Sequence, residues 1–290
     1  MREARGQDEP GIAALAAVAG GSGWWGWEQR TGPAQPDRRR HVEVEGDRVV
    51  GYGAIWRRKA TIFGLDTLVH PSARGGGLGR RLVDRLFEDL AELGATAVEA
   101  RIDADHREAL AFMVRRGFFE LNRLERVRLD LGEVKVEEMT LPEGIAVTTL
   151  ADLRDPRALF ALVTGAFREP AVRFLEPFTE PPFEQFIGEL EGAFPDRSFV
   201  AMSGSACVGF SGLMSGPEPG TATTFMTATA PDHRHRGIAT VLKRRTISWA
   251  KRAGYRAIFS NSPNPDMQEL NEMLGFRRCA AAEIRMGRRL

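Results

Sequence analysis

The chain repeats itself at long range. Pro71 and Pro231, Arg74 and Arg234, Gly77 and Gly237, Leu82 and Leu242, and Gly94 and Gly254 stand 160 residues apart. Gly117-Phe118 and Gly275-Phe276 stand 158 apart, as do Val50-Gly51 and Val208-Gly209. Landmarks that keep their order with a drift of two residues mark a duplication. The period is too long for a solenoid, whose units run about 20–50 residues, so the repeated unit is a domain. A chain of 290 residues has room for two, at roughly 100–200 residues each. The halves meet in a charged stretch, Gly132 to Gly144, whose Glu133, Lys135, Glu137 and Glu138 suit a linker or an exposed edge strand. The expected domains are about residues 1–138 and 139–290.

Both halves give the same order of elements. A helix comes first, Pro10 to Ala19 and Pro156 to Phe167. A hairpin follows. In the first half it is His41–Val44 and Val49–Trp56 around Glu45-Gly46-Asp47; in the second it is Phe199–Met202 and Cys207–Met214 around Ser203-Gly204-Ser205. A third strand runs into a glycine loop, and a helix begins directly after it. In the first half Leu78, Leu82, Val83, Leu86, Phe87 and Leu90 form that helix's apolar stripe. Ala95 to Ile102 and Arg256 to Ser260 read as buried strands, each followed by a short helix ending in Gly-Phe and by one or two closing strands. The expected fold class is α/β: two tandem domains, each a mixed, mostly antiparallel sheet flanked by helices.

The chemistry points to the loops. The first reads Val69-His70-Pro71-Ser72-Ala73-Arg74-Gly75-Gly76-Gly77-Leu78-Gly79-Arg80. The second reads Thr229-Ala230-Pro231-Asp232-His233-Arg234-His235-Arg236-Gly237-Ile238-Ala239-Thr240. Glycine between a strand and a helix start lets a phosphate approach backbone N–H groups at the positive end of the helix dipole. No Gly-Lys-Ser/Thr follows, which excludes a Walker loop. A hairpin precedes the loop where a dinucleotide fold needs a parallel crossover.

Arg/Gln-x-x-Gly-x-Gly/Ala after a strand, then a helix, a strand and a helix ending in Gly-Phe, resembles the GNAT acyltransferases. Arg74, Gly77 and Gly79 match in the first half; Arg234, Gly237 and Ala239 match in the second. The paired arrangement is similar to tandem members of that family. The resemblance implies that the loops hold the pyrophosphate of acetyl-CoA, through Arg74 to Arg80 and Arg234 to Thr240. It also implies that the strand before each loop splays from its neighbour. Pantetheine would lie in the gap like an added strand, against Val69 in one half and Thr227, Ala228 and Thr229 in the other. The family often takes a base from a carboxylate on that strand, where Asp66 stands in the first half and Met226 in the second. It often takes an acid from a Tyr four residues before the Gly of Gly-Phe, where this chain has Met113 and Asn271. An Asn near the start of the last helix can bond pantetheine; Asn264 matches, while His106 stands there in the first half. Neither half has the common acid and base together.

The resemblance implies an acetyl-CoA-dependent N-acetyltransferase for a small amine. A non-catalytic acyl-CoA-binding protein and an acetyltransferase acting on a protein amine are the alternatives. Net charge +1 disfavours a nucleic-acid partner. The two cysteines, Cys207 and Cys279, build neither a disulfide framework nor a cysteine zinc site, and the histidines show no ligand spacing, so no metal is expected. The longest apolar run, Ile12 to Ala19, is far short of the ~20 residues that span a bilayer. A cytoplasmic setting is the expectation. Pro231 to Arg256 carries Arg234, Arg236, Lys243, Arg244, Arg245, Lys251, Arg252 and Arg256 against Asp232 alone, a potential suited to CoA's phosphates. Trp24, Trp25 and Trp27 suggest core or inter-domain packing, or a groove wall. Glu176, Glu180 and Glu184, among the prolines and phenylalanines of Phe174 to Phe186, suit either a cationic acceptor or an ordinary surface loop.

Overall fold

The computed structural model describes residues 1–20, 37–135, 139–168, 173–190, 193 and 195–290. The tryptophans Trp24, Trp25 and Trp27 lie outside them. The chain divides into two compact units, one of Met1–Arg123 with Glu283–Leu290 and one of Leu124–Ala282. The first unit is drawn from both ends of the chain, and the second is the stretch between them.

In the first unit, strand β1 (Arg2–Glu3) precedes helix α1 (Glu9–Ala19), which Pro10 opens and which ends at Gly20 with φ of 75°. The expected hairpin is β2 (Arg39–Glu45) and β3 (Arg48–Arg57), with Gly46 in the left-handed region that its tight turn requires. Then come β4 (Ile62–Val69), α2 (Leu78–Glu92), β5 (Ala97–Asp103), α3 (Arg107–Arg115) and β6 (Phe119–Asp130), which runs on from Leu124 into the second unit. Helix α2 buries Leu78, Leu82, Val83, Leu86 and Leu90, the stripe its spacing predicts. The second unit repeats the plan. It has β7 (Ala146–Thr149), α4 (Pro156–Phe167), α5 (Phe183–Leu190), β8 (Phe199–Ser203), β9 (Ala206–Ser215), β10 (Thr221–Thr229), α6 (Ile238–Arg252), β11 (Ala257–Ser262), α7 (Pro265–Met273) and β12 (Arg277–Arg278). Strand β13 (Glu283–Arg289) ends the chain.

The closing strands change places, against the expectation that each half is closed by its own. The last strand of the chain, β13, pairs antiparallel with β5 of the first unit, from Glu283 against Asp103 to Arg289 against Ala97. Strand β6 pairs with β11 of the second, from Ala257 against Asp130 to Ser262 against Glu125. The first sheet therefore runs β1-β2-β3-β4-β5-β13, and the second runs β6-β11-β10-β9-β8-β7, with β12 also on β6. Each sheet is antiparallel apart from one parallel pair, β4 with β5 and β10 with β11. Ile284 and Met286 are buried among Ile55, Phe63, Leu65, Leu86 and Val98 of the first unit. Leu129 and Leu131 are buried among Leu213, Ile247, Ile258 and Phe276 of the second.

Candidate active site

The parallel pairs are short, and that makes the clefts. Strands β4 and β5 stay paired only from Ile62 with Ala97 to Leu65 with Ala100, although β4 runs on to Val69 and β5 to Asp103. Strands β10 and β11 part after Thr223 with Phe259, and β10 continues to Thr229. Main-chain groups of Asp66 to Val69 and of Thr224 to Thr229 thus have no β5 or β11 ladder beside them. An extended ligand with amide groups can fill such a gap as a strand would.

Both gaps open toward a glycine loop of one backbone shape. Gly75 and Gly77 have φ of 82° and 79°. Gly237 has φ of 77°, and His235, at the position of Gly75, has φ of 56°. His235 is the one non-glycine with positive φ among the described residues. An L side chain in the left-handed region costs about 1–2 kcal/mol, so the second loop keeps its shape against a local preference. Gly77 and Gly237 are the N-cap residues of α2 and α6 and supply no capping side chain. The first helical bonds run from Arg81 N–H to Gly77 and from Val241 N–H to Gly237, which leaves the earlier amides for a ligand. By contrast, α4 and α7 are capped by Asp155 and Asn264 side chains. A Cβ at Gly75, Gly76 or Gly237 would meet nothing within 4 Å, so the cradles are open. Leu78 and Ile238 are buried beneath them, and a Cβ at Gly79 would lie 3.5 Å from the Val69 methyl.

The motif arginines hold the loop as well as face it. Arg74 donates from Nε to the Val69 carbonyl at 3.2 Å and from Nη2 to Ala19 at 3.2 Å. Arg234 donates from Nε to the Thr229 carbonyl at 3.3 Å. Of the basic run, Lys251 donates to the Gly132 and Val134 carbonyls, Arg252 to Ser248 and Arg256 to Glu218. The loop's own cations are Arg234 and Arg236, the latter exposed with His235 beside Ala239 and Thr240, which are half-buried. Arg80 is exposed at the start of α2. Glu180 of the acidic loop is paired with Arg168, an ordinary surface contact.

Beyond the loops the units differ. Opposite β9, strand β10 carries a bulge: Thr224 pairs with Leu213 and Met226 with Gly212, so Phe225 is an extra residue. The bulge lies just past the last β10–β11 pair and frees backbone groups there. Strand β4 is regular against β3 from Phe63 to Val69. Its Asp66 is half-buried opposite Ala54, on the face that α1 covers with Ile12 and Leu15. Tyr52 on that face is pushed up to about 12 by burial, with the Asp66 carboxylate adding to the rise. Met226, the counterpart of Asp66, packs against the α4 core.

Asn271 is 2% exposed. Its Nδ2 reaches Ser260 Oγ of β11 at 3.5 Å, and its Oδ1 has no hydrogen-bond partner. Thr229 Oγ1 and His233 Nδ1 are likewise buried without partners. Orphaned buried polar atoms of this kind fit a ligand that supplies the missing groups. Thr227 Oγ1 lies 3.4 Å from Ser211 Oγ, and Ala228 is buried in the α4 core. Asn264 caps α7, its Oδ1 accepting from Asp266 N–H at 2.9 Å, so only its amide NH₂ is left to face a ligand. His106 heads α3, and its ring fills the space beside Gly20. Met113 is core. Among the described residues no cluster of His, Cys, Asp and Glu could hold a metal ion, and no helix is long and apolar enough to cross a membrane.

Two parallel pairs that part, each beside an uncapped glycine helix start, make clefts suited to an extended ligand with a phosphate end. The profile of the acetyltransferase (GNAT) family matches residues 20–118 and 160–276. The chain belongs to that family, whose members are acetyl-CoA-dependent N-acetyltransferases. It is 27% identical over 266 residues to a mycothiol acetyltransferase of Rhodococcus jostii, covering 84% of this chain and 82% of that one. A mycothiol acetyltransferase of Tsukamurella paurometabola is 32% identical over 245 residues, 80% of this chain and 78% of its own. Among solved structures, a GCN5-related N-acetyltransferase from Sphaerobacter thermophilus superposes with a TM-score of 0.81 at 20% identity, covering 99% and 94% of the chains. A tandem GNAT protein from the clavulanic acid biosynthesis pathway does so at 0.67 and 19%, covering 98% and 96%.

Proposed function

We propose that the protein acetylates a small amine and that the second unit carries the transfer. The observation that supports this most is the bulge at Phe225, set at the closed end of the β10–β11 gap. Backbone N–H groups released from a ladder can face the oxyanion that forms at the acetyl carbonyl. The loop from Arg234 to Thr240 holds the pyrophosphate end of acetyl-CoA, and Thr227 to Thr229 with Asn264 and Asn271 line the remainder. Strand β10 has no carboxylate, so the acceptor enters as the neutral amine and gives its proton to water. The relatives bear the name mycothiol acetyltransferase, which puts an acceptor of that kind in the assay beside polyamines and amino sugars.

Steady release of free thiol from acetyl-CoA on addition of one of these amines is the expected result. Binding of CoA without thiol release from any of them would support a non-catalytic carrier. In calorimetry, Gly237→Trp should abolish most CoA binding, because the indole fills the cradle. Full affinity in a folded Gly237→Trp would move the site.

A second reading concerns the first unit. Its loop has the same left-handed residues and its strands part in the same way, which supports a second CoA held by Val69 and Arg74 to Arg80. There Asp66 would take the proton, and Asp66→Asn would lower turnover far more than affinity. A CoA stoichiometry of one, with turnover unchanged in Asp66→Asn, would refute it.

A further inference from the structure

One lysine of the basic run, expected to add to the potential for CoA's phosphates, turns inward instead. Lys243 on α6 is 2% exposed. Its ammonium lies 5.3 Å from the centroid of the Phe276 ring, and no carboxylate among the described residues pairs with it. Buried lysines are rare because the charge loses its water. The strands packed on α6, namely β8, β9 and β10, carry no charged residue, only the Cys207 thiol, which burial pushes up to about 11 and so keeps neutral. The short turn Pro195–Arg197 brings Asp196 and Arg197, and Arg197 lies over Trp249, well along the helix. On α7, Glu269 and Glu272 are exposed.

Phe276 connects that position to residues beside the gap. Phe276 N–H donates to the Asn271 carbonyl at 3.0 Å. Asn271 Nδ2 reaches Ser260, the residue after Phe259, where β11 leaves β10. In the first unit the equivalent interior is apolar: Val83, Leu86, Ala100 and Met113 stand where the second has Lys243, Thr246, Ser260 and Asn271. All eight are buried. Polarity has thus been placed behind the closed end of one gap and not the other. A buried cation with no counter-ion is destabilising by itself. It is understandable where a negative charge arrives during the reaction.

Resting on the assignment of transfer to the second unit, we propose that Lys243 is the acid for the leaving sulfur. The amine nitrogen attacks the acetyl carbonyl and the C–N bond forms. The C–S bond then breaks with its electron pair on sulfur, and a proton passes from the Lys243 ammonium to the thiolate. The proton lost by the new amide nitrogen goes to water, and the neutral amine of Lys243 regains one from water. Burial lowers the ammonium to about 8, near the ~8.5 of an ordinary thiol. An acid matched in this way transfers its proton with little uphill cost.

The test is the titration of the thiol of CoA bound to the whole protein, followed by thiolate ultraviolet absorption. In the wild type it should ionise at lower pH than free CoA, because a cation is close. In Lys243→Met, which keeps the side-chain volume, it should ionise at higher pH than in the wild type. Affinity for CoA should stay within about two-fold, while kcat falls by ~10²–10⁴, the usual worth of a positioned acid. The wild-type kcat should fall as pH rises through about 8, and that limb should vanish in the variant. An unshifted thiol in the wild type overturns the proposal even if Lys243→Met does not fold. So does unchanged kcat in a folded Lys243→Met. CoA binding that survives Gly237→Trp in full overturns the underlying assignment instead.

Discussion

The exchange of closing strands makes a sharp claim about stability. Ile284 and Met286 lie within a few residues of the C-terminus, yet they are buried in the core of the unit that starts at Met1. Replacing both by Ala removes two buried side chains. Each such truncation costs about 2–5 kcal/mol, and as neighbours on one face they need not add. A loss of ~4 kcal/mol corresponds to roughly a thousand-fold rise in the population of the opened first unit, at 1.4 kcal/mol per tenfold. A domain holds only about 5–15 kcal/mol in all, so this unit should approach unfolding near room temperature. Hydrogen exchange with peptide-level readout measures the effect. Peptides from Arg48–Arg57, Ile62–Val69 and Ala97–Asp103 should lose protection, while those from Ala206–Ser215 and Thr221–Thr229 keep it. Leu129→Ala should give the converse pattern. Loss of protection in the second unit alone on changing Ile284 and Met286 would show that the last strand belongs to its own half and would refute the exchange.

Three further outcomes are expected. His235→Gly should stabilise the protein by about 1 kcal/mol, since the left-handed φ of 56° disfavours a side chain; a lower melting temperature would refute that. Deleting Phe225 should restore the regular ladder seen in β4 and lower turnover by at least ~10²-fold, the worth of an oxyanion donor, with CoA still bound in calorimetry; undiminished turnover would refute the role of the bulge. Asp8 is held at about 2 by its hydrogen bonds from Arg2, against an ordinary 3.8. A depressed carboxylate contributes stability above its unfolded value and loses it as pH falls from about 4 toward 2, so Asp8→Asn should flatten that part of the stability profile in urea titrations.

What could be read from the sequence was local. Helix Pro156–Phe167 was legible to the residue because Asp155 caps it and Pro156 opens it. The hairpins were legible because their turns carry Gly46 and Gly204 at positive φ. The exchange of β6 and β13 was not, since an alternating strand suits any sheet edge and only long-range packing chooses one. Lys243 was hidden in a basic run, Lys243-Arg244-Arg245, that reads as a solvated helix face; nothing in the letters marks the one member that turns inward. Arg74, Arg234 and Asn264 stand out by motif, but their bonds to loop carbonyls and a helix start arise only in the folded chain.

The bulge shows how a small numerical irregularity can carry chemistry. Counterparts stand 158 residues apart in β3 and β9, as Gly51 and Gly209 do, and 160 apart at Val69 and Thr229. The parallel pairs place Ile62 against Ala97 and Thr221 against Ala257, so the offset at the start of this strand is 159. One of the two drifting residues therefore enters within the strand itself, at Phe225. An insertion inside a central strand disrupts its ladder and is retained where the disruption is useful. Here it falls at the closed end of the gap in front of Ser260 and Asn271, in the unit whose interior holds Lys243. The loop shape is common to both units and is kept even through His235; the bulge and the polar interior belong to the second alone, and on them rests the proposal that this unit carries the transfer.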